Sequence, residues 1–372
     1  MNRRDILKLM TFSTVVPNKL LNHMTTTNNF NYLILIELQG GNDGLNTVIP
    51  YANPLYYQYR PNIGIDKKLL IPLNEELALH PSLKELKEIY DSKELAIALG
   101  IGYEHPNRSH FRSIDIWNTA SDSDEYIDRG WLAGTLNKLD TDIGGIVLGG
   151  DYGPLTLASN VIKVKNIDNY IRQAKGLEGN ITFMGDNKAL EHILNIELEI
   201  QESSKTLLEN LTTDVEYYFP KSSFYNQMDI ATRLVINEIK VPVIKLSLKG
   251  FDTHINQPQK HANLLKQLSE GLEIMRRNLI KVNKWSNVII MTYSEFGRRV
   301  QENGSKGTDH GSASPHFIVG GGIRGSIYGE YPSLSKLDEN GDLVYTTNFR
   351  EIYQSILHKW LGESQKGDLF KF

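Results

Sequence analysis

The segment GTDHGSASPHF at residues 307–317 brings together side chains that can bind a metal ion or move a proton. Asp309, His310 and His316 fall within eight positions, directly before the apolar run 317–319. A buried strand needs no such residues in order to fold, so we interpret them as part of a site. His310 is the leading candidate for a metal ligand, and Asp309 either binds the metal or orients a ligand. His316 abuts the apolar run and is expected to be structural, supporting the site from behind.

A second polar cluster is FDTHINQPQKH at residues 251–261. Asp252 and His254 stand two residues apart directly after an apolar run, and His261 opens a helical pattern. A carboxylate and an imidazole in this arrangement suit a divalent metal with oxygen and nitrogen ligands. The alternative is a solvated loop followed by an ordinary helix start. We favour the metal site, with His261 as a residue that supports it.

Two further acidic residues follow apolar runs. In GGNDGLN, Asp43 is either a metal ligand or the residue that closes an Asx-turn. In MTYSEFGRRV, Glu295 either binds the metal or forms an ion pair with an arginine. Arg298 and Arg299 follow Glu295, and both are candidates to hold an anionic substrate through their guanidinium groups.

The segment HPNRSHFRS contains the candidate nucleophile. Ser109 lies between Arg108 and His110, with Arg112 close by, so its hydroxyl could attack an ester whose charge the arginines hold. The alternative is a helix N-cap, and both roles are compatible because a helix N-terminus favours an anion. A Ser–His–Asp triad is a rival use of these residues, but the sequence contains no G-x-S-x-G motif.

The elements that must position these residues are predicted from apolar runs at 32–38, 95–102, 143–150, 241–250, 287–297 and 316–322. Such continuous runs are typical of strands buried on both faces of a mostly parallel sheet. Residues 261–280 carry an apolar stripe at helical spacing, and a second helix is predicted at 225–240. We therefore predict a single α/β domain over residues 29–372, with helices on both faces and a helical insertion at about 150–240. The polar segments lie at strand ends, where α/β sheets form their sites.

Composition narrows the chemistry. The 372 residues include no cysteine, which excludes disulfides, thiolate metal ligands and cysteine nucleophiles. The formal net charge of -4 gives no reason to expect nucleic acid or an anionic membrane as a partner.

The amino terminus predicts export. Arg3 and Arg4 precede a modestly apolar segment, 6–16, that is too short to span a bilayer. The pattern is similar to a twin-arginine signal, which directs already folded proteins to their export machinery, and an amphipathic helix is the alternative. We predict a leader at residues 1–28, a periplasmic or secreted location, and no transmembrane segment after the leader.

Long motifs resemble one bacterial family, domain of unknown function 1501. They include RRDILKL, LQGGNDGLNTVIPY, HPNRSHFRSIDIW, MTYSEFGRRVQENGSKGTDHG and VGGGIRGSIYGEYPSL, and they run from the leader nearly to the end of the chain. The family is grouped with the alkaline phosphatase and sulfatase superfamily. The resemblance implies a three-layer α/β fold with a metal site at the strand ends, and it assigns Asp43 to the first metal-binding acid and Ser109 to the nucleophile.

The same resemblance assigns Asp252 with His254, Glu295 and His310 to the remaining ligands. The chain departs from the superfamily in having Phe296 where a histidine commonly follows the acid, and in the two-residue spacing of Asp252 and His254. The site could accordingly hold one ion, two ions or none. The candidate ions are zinc, manganese and calcium.

We therefore predict an exported, metal-dependent hydrolase of phosphate or sulfate esters, acting on an anionic small molecule or a glycan. The alternative is a non-catalytic periplasmic binding or assembly protein on a degenerate form of the same fold. The predicted substrate-holding residues are Arg108, Arg112, Arg298 and Arg299, and the predicted catalytic residues are Ser109, Arg108 and His110.

Overall fold

The computed structural model describes residues 30–139, 141–164 and 213–362. Within them lie the strands β1 (Tyr32–Gln39), β2 (Val48–Ile49), β3 (Ile71–Pro72), β4 (Ala78–Leu79), β5 (Leu95–Gly102), β6 (Gly145–Val147), β7 (Val161–Lys163), β8 (Val243–Lys249), β9 (Val288–Tyr293), β10 (Ser314–Val319), β11 (Ile327–Tyr328) and β12 (Thr347–Asn348). The predicted leader and most of the predicted insertion lie outside the described residues.

One large sheet organises this part of the chain. Its nine strands follow the order β11-β5-β10-β9-β1-β8-β6-β7, with β12 also paired to β5. The pairs of β1 with β8 and β9 are parallel, as are those of β6 with β7 and β8. Strand β10 runs antiparallel to both of its neighbours, β5 and β9. Segments that follow the parallel strands therefore meet the segment that precedes β10 at one edge of the sheet.

The central strand shows why these runs are apolar throughout. Ile34, Ile36 and Leu38 of β1 belong to the core on one face of the sheet, and Leu33 and Leu35 belong to the core on the other. Successive strand residues point to opposite faces, so a strand covered on both sides must be apolar at every position.

Helices cover both faces. They are α1 (Pro54–Tyr59), α2 (Lys84–Asp91), α3 (His110–Thr119), α4 (Ala133–Leu136), α5 (Ser223–Ile236), α6 (Gln257–Lys281) and α7 (Phe349–Lys359). The apolar residues of α2, α5 and α6 join the core on one face, whereas those of α3, α4 and α7 join the core on the other. The predicted three-layer α/β fold with a mostly parallel sheet is confirmed.

The longest helix illustrates the match between pattern and packing. The apolar stripe predicted for residues 261–280 lies on α6, and Leu268, Leu272 and Leu279 on that stripe are completely buried. The helix predicted at 225–240 corresponds to α5, which packs into the same core.

A smaller antiparallel sheet, with the order β2-β4-β3, lies beside the large one. Its Ile49 and Ala78 form a third apolar cluster with Leu45, Val300 and Ala313, residues that flank the polar strand-end segments. This cluster holds those segments against the rest of the domain. None of the helices in the described ranges combines the length and apolar composition needed to cross a bilayer.

Candidate metal centre

Three imidazoles and one carboxylate meet at the edge where the strand-end segments converge. One oxygen of Asp252, Oδ1, lies 3.0 Å from Nε2 of His254 and 3.3 Å from Nε2 of His310. The other oxygen, Oδ2, lies 3.5 Å from Nε2 of His110. Ligand atoms of His110, Asp252 and His310 all lie within 4.8 Å of one another. We call these four residues the histidine cluster.

Two of the imidazoles are held by hydrogen bonds on the side away from the cluster. His254 places Nδ1 2.9 Å from Oδ1 of Asp309, and His310 places Nδ1 2.8 Å from the carbonyl oxygen of Arg108. A carboxylate or a carbonyl can only accept, so each Nδ1 carries a hydrogen, and in the neutral ring Nε2 then has the lone pair that a metal ion would bind. This is how proteins orient metal-binding histidines.

The third imidazole is oriented in the same way. Nδ1 of His110 lies 3.0 Å from Oε1 of Glu295, and Oε1 also accepts the Gly40 amide at 2.8 Å. The hydrogen bond to Glu295 raises the pKa of His110, whereas burial lowers the pKa of His310. His110 therefore takes up a proton more readily than His310 does.

The spacing and the chemistry of the donor atoms in the histidine cluster suit a divalent metal ion. Nε2 of His254 and Nε2 of His310 face each other at 3.0 Å, and two nitrogen lone pairs at this distance repel unless a cation or a proton lies between them. Metal–nitrogen bonds of about 2.1 Å in a tetrahedron place neighbouring ligand atoms roughly 3.4 Å apart, close to these separations. Imidazole and carboxylate donors suit zinc or manganese, whereas calcium prefers oxygen ligands throughout.

Asp43 does not lie in the histidine cluster. Its side chain is completely buried, and its Oδ2 forms an ion pair of 2.6 Å with Arg60 and accepts a hydrogen bond from Gln257. His261, also buried, lies nearby with Nε2 2.9 Å from Oδ1 of Asn42, and burial lowers its pKa to about 4. The loop after β1 is therefore braced from inside the protein.

Arg298 supports the cluster instead of facing solvent. Its buried guanidinium donates to the carbonyl oxygens of Gly40, Gly41, Phe251 and Thr308, and it binds Oδ1 of Asp252 at 2.7 Å. Burial alone raises the pKa of Asp252, but the contact with Arg298 brings it below its ordinary value. Asp252 is consequently ionised and fixed in position.

Two of the other arginines are also engaged. Arg108 binds Asp338 at 3.1 Å and Asp342 at 2.5 Å. Arg112 binds Asp115 and donates to the backbone carbonyls of residues 122, 123 and 125. Arg299 is more open: its side chain is 43% exposed, and Nε lies 3.8 Å from Asp342.

The remaining predicted residues fall into two groups. Ser109 is the exposed N-cap residue of α3, and its hydroxyl makes no capping hydrogen bond. His316 lies inside β10 with its ring against Trp117, and burial lowers its pKa to about 3. Ser109 thus reaches solvent beside His110, while His316 belongs to the interior.

The glycine pair of the first loop, Gly40 and Gly41, is a determinant of the site. Gly40 has a φ of +117°, and a Cβ there would lie 2.3 Å from the backbone nitrogen of Asp252. Only glycine allows this approach, through which the Gly40 amide reaches Glu295 and its carbonyl reaches Arg298. Arg60 is a further residue that the sequence alone does not indicate, because no local pattern marks it as the partner of Asp43.

The Asp43–Arg60 pair predicts a pH-dependent contribution to stability. Burial alone raises the pKa of Asp43, but Arg60 outweighs it and the pKa lies below its ordinary value. Such a carboxylate stabilises the fold above its unfolded pKa of about 3.9, and this contribution is lost as the pH falls through the folded pKa. We expect Arg60→Met to lower the free energy of unfolding by about 3–5 kcal/mol at pH 7, and by less below about pH 4.

Urea denaturation at pH 7 and at pH 3.5 measures this difference, with the exposed Arg324→Met as the matched control. A deficit of the same size at both pH values would contradict the assignment of the effect to Asp43.

The histidine cluster predicts zinc or manganese binding by the purified protein. We expect His310→Ala to abolish stoichiometric binding, because it removes one of the converging Nε2 donors. Asp309→Asn should weaken binding by about 10–100-fold, because it only loosens the orientation of His254. Isothermal titration and elemental mass spectrometry measure both, with His105→Ala, whose side chain is 84% exposed, as the control. Equal metal content in wild type and His310→Ala would count against the centre.

A family model described as protein of unknown function matches residues 166–366, more than half of the chain. The matched range contains Asp252, His254, Glu295 and His310, and it begins after Ser109 and His110. No curated protein matches the chain.

Several solved structures are similar to the chain at low identity. The phosphoethanolamine transferase A of Neisseria meningitidis is 8% identical with a TM-score of 0.41, over 85% of this chain and 53% of that one. A protein in the alkaline phosphatase superfamily from Vibrio parahaemolyticus is 12% identical with a TM-score of 0.37, over 97% and 76%. The lipoteichoic acid synthase of Listeria monocytogenes is 11% identical with a TM-score of 0.39, over 93% and 76%.

This chain spans about half the length of the Neisseria transferase. At these TM-scores the likeness carries no weight for the chemistry of the site. The family match, in contrast, covers most of the histidine cluster and confirms the family predicted from the motifs. The chain belongs to the family described as protein of unknown function (DUF1501).

Proposed function

We propose that this protein is a metal-dependent hydrolase of phosphate or sulfate esters, with the histidine cluster as its metal centre. The observation that carries the proposal is the convergence of three Nε2 atoms on Asp252, two of them directly opposed at 3.0 Å. A divalent ion bound there would act as a Lewis acid toward the ester.

The nucleophile in this proposal is Ser109. Its hydroxyl is exposed and makes no capping bond, and it lies at the N-terminus of the ten-residue helix α3, whose partial positive charge favours an anion. Attack of its oxygen on phosphorus or sulfur would release the alcohol and leave an ester on Ser109, which water then hydrolyses. Both ring nitrogens of the neighbouring His110 are engaged, Nδ1 by Glu295 and Nε2 by the metal centre, so the hydroxyl proton of Ser109 leaves to solvent and the departing alcohol takes its proton from solvent.

Few of the predicted arginines are available to bind the negative charge of the substrate. Arg108, Arg112 and Arg298 are held by carboxylates or carbonyls of the protein, so Arg299 is the one predicted substrate-binding arginine left open toward solvent. We therefore assign the non-bridging oxygens of the ester to the N-terminus of α3 and to Arg299, beside the residues that would hold the metal.

The test of catalysis separates the nucleophile from the metal. We expect Ser109→Ala to keep the wild-type metal content and to lose turnover of nitrophenyl phosphate or sulfate esters by a factor on the order of 10³ or more. Ser92→Ala is the matched control, since Ser92 ends α2 and precedes β5, at the opposite edge of the sheet. Undiminished turnover in Ser109→Ala, with metal present, would remove Ser109 from the mechanism.

One observation favours a second candidate function, a binding protein without catalysis. Asp43, the acid that the superfamily resemblance assigns to the metal, is committed to Arg60 and Gln257, and Phe296 stands where a further imidazole would be. Stoichiometric metal with no turnover of any phosphate or sulfate ester would favour this candidate.

Export through the twin-arginine pathway is also part of the proposal and rests on Arg3 and Arg4. We expect the wild-type protein to appear in the periplasmic or secreted fraction, and Arg3→Lys/Arg4→Lys to remain in the cytoplasm. Cell fractionation followed by immunoblotting measures this. Equal export of the double variant would refute the pathway.

A further inference from the structure

A cleft of about 620 Å³ opens beside the histidine cluster. Two of the residues that line the cleft also contact His310 of the cluster. Phe296 lines the cleft and stacks on the His310 ring at 4.3 Å, and Arg108 lines it while its carbonyl oxygen accepts from His310. The volume is that of a site for a small organic ligand. An ester held at the metal could therefore extend its organic part into this cleft.

The charges around the cleft exclude an anion. The single guanidinium in its lining, that of Arg108, is bound by the carboxylates of Asp338 and Asp342. Glu104 and Glu339 also line the cleft, and both are exposed. A second negative group on the ligand would face these carboxylates, and the guanidinium of Arg108 is already bound by two of them.

Aromatic rings form part of the cleft wall. Tyr345 lines the cleft, is partly buried, and lies close enough to Glu104 for that carboxylate to help raise the pKa of its phenol, after the larger effect of burial. Phe296 supplies a second ring at the end nearest the metal centre. Aromatic faces beside carboxylates are how proteins bind ammonium groups, since the ring quadrupole and the negative charge both attract the cation.

We propose that the cleft binds a positively charged ammonium group on the organic part of the ester, so that the substrate is zwitterionic: its anionic end at the metal centre and its cationic end between Tyr345, Phe296, Glu104 and Glu339. This inference rests on the proposed function, because that function supplies the anionic ester whose other end the cleft receives.

The first experiment tests the cleft without requiring turnover. Choline and its uncharged isostere 3,3-dimethylbutanol are titrated into the metal-loaded protein, and binding is followed by saturation-transfer NMR and calorimetry. We expect choline to bind about tenfold more tightly than the isostere. We expect the double variant Glu104→Gln/Glu339→Gln to lose that preference, and Glu75→Gln, an exposed acid outside the cleft, to keep it. Equal affinity for the two ligands, or no binding of either, would overturn the proposal.

The second experiment separates this inference from the proposed function. Hydrolysis of 4-nitrophenyl phosphorylcholine is compared with that of 4-nitrophenyl 3,3-dimethylbutyl phosphate. A lower KM for the choline ester, lost in Glu104→Gln/Glu339→Gln and kept in Glu75→Gln, is the expected result. Hydrolysis of both esters with the same KM would retain the hydrolase and reject the cleft. Selective binding of choline without hydrolysis of either ester would retain the cleft and reject the hydrolase.

Discussion

The buried guanidinium of Arg298 is the contact on which the edge of the sheet depends. Its donors reach carbonyl oxygens in the loops that follow β1 and β8 and in the segment that precedes β10, and it also binds Asp252. A buried charge is tolerated only when its donors are satisfied and a counter-charge is near. Three separate segments must therefore be in place together, and their placement fixes the only acid of the histidine cluster.

The strands and the edge at which the polar residues gather could be predicted from the sequence, because burial on both faces forces continuous apolar runs. The same reasoning placed His254 and His310 at one edge without knowledge of the direction of β10. That β10 is antiparallel could not be predicted, since a buried apolar run has the same appearance in either direction. The antiparallel direction is what brings a histidine that precedes its strand to the edge where other residues follow theirs.

The positions of Asp43 and His110 could not be predicted, for a common reason. Both stand in polar segments beside strands or helices, where a carboxylate or an imidazole can turn inward or outward. For Asp43 the direction is decided by Arg60, which returns from α1 to form a buried ion pair. For His110 it is decided by Glu295, a residue 185 positions away whose carboxylate orients the ring. Neither contact can be recognised from the neighbouring residues in the sequence.

The insertion of β10 between β5 and β9 has a consequence for when the metal can arrive. Arg108, which orients His310, is separated from it by 202 positions in the chain. The centre can therefore form only after most of the chain has been synthesised and β10 has paired with β5 and β9. Contacts this distant in sequence form late, because loop closure must come first. Metal would then bind after the domain has folded, and it would not direct the folding. If the protein leaves the cytoplasm already folded, an ion bound at the centre would be selected from the cytoplasmic metal pool before export.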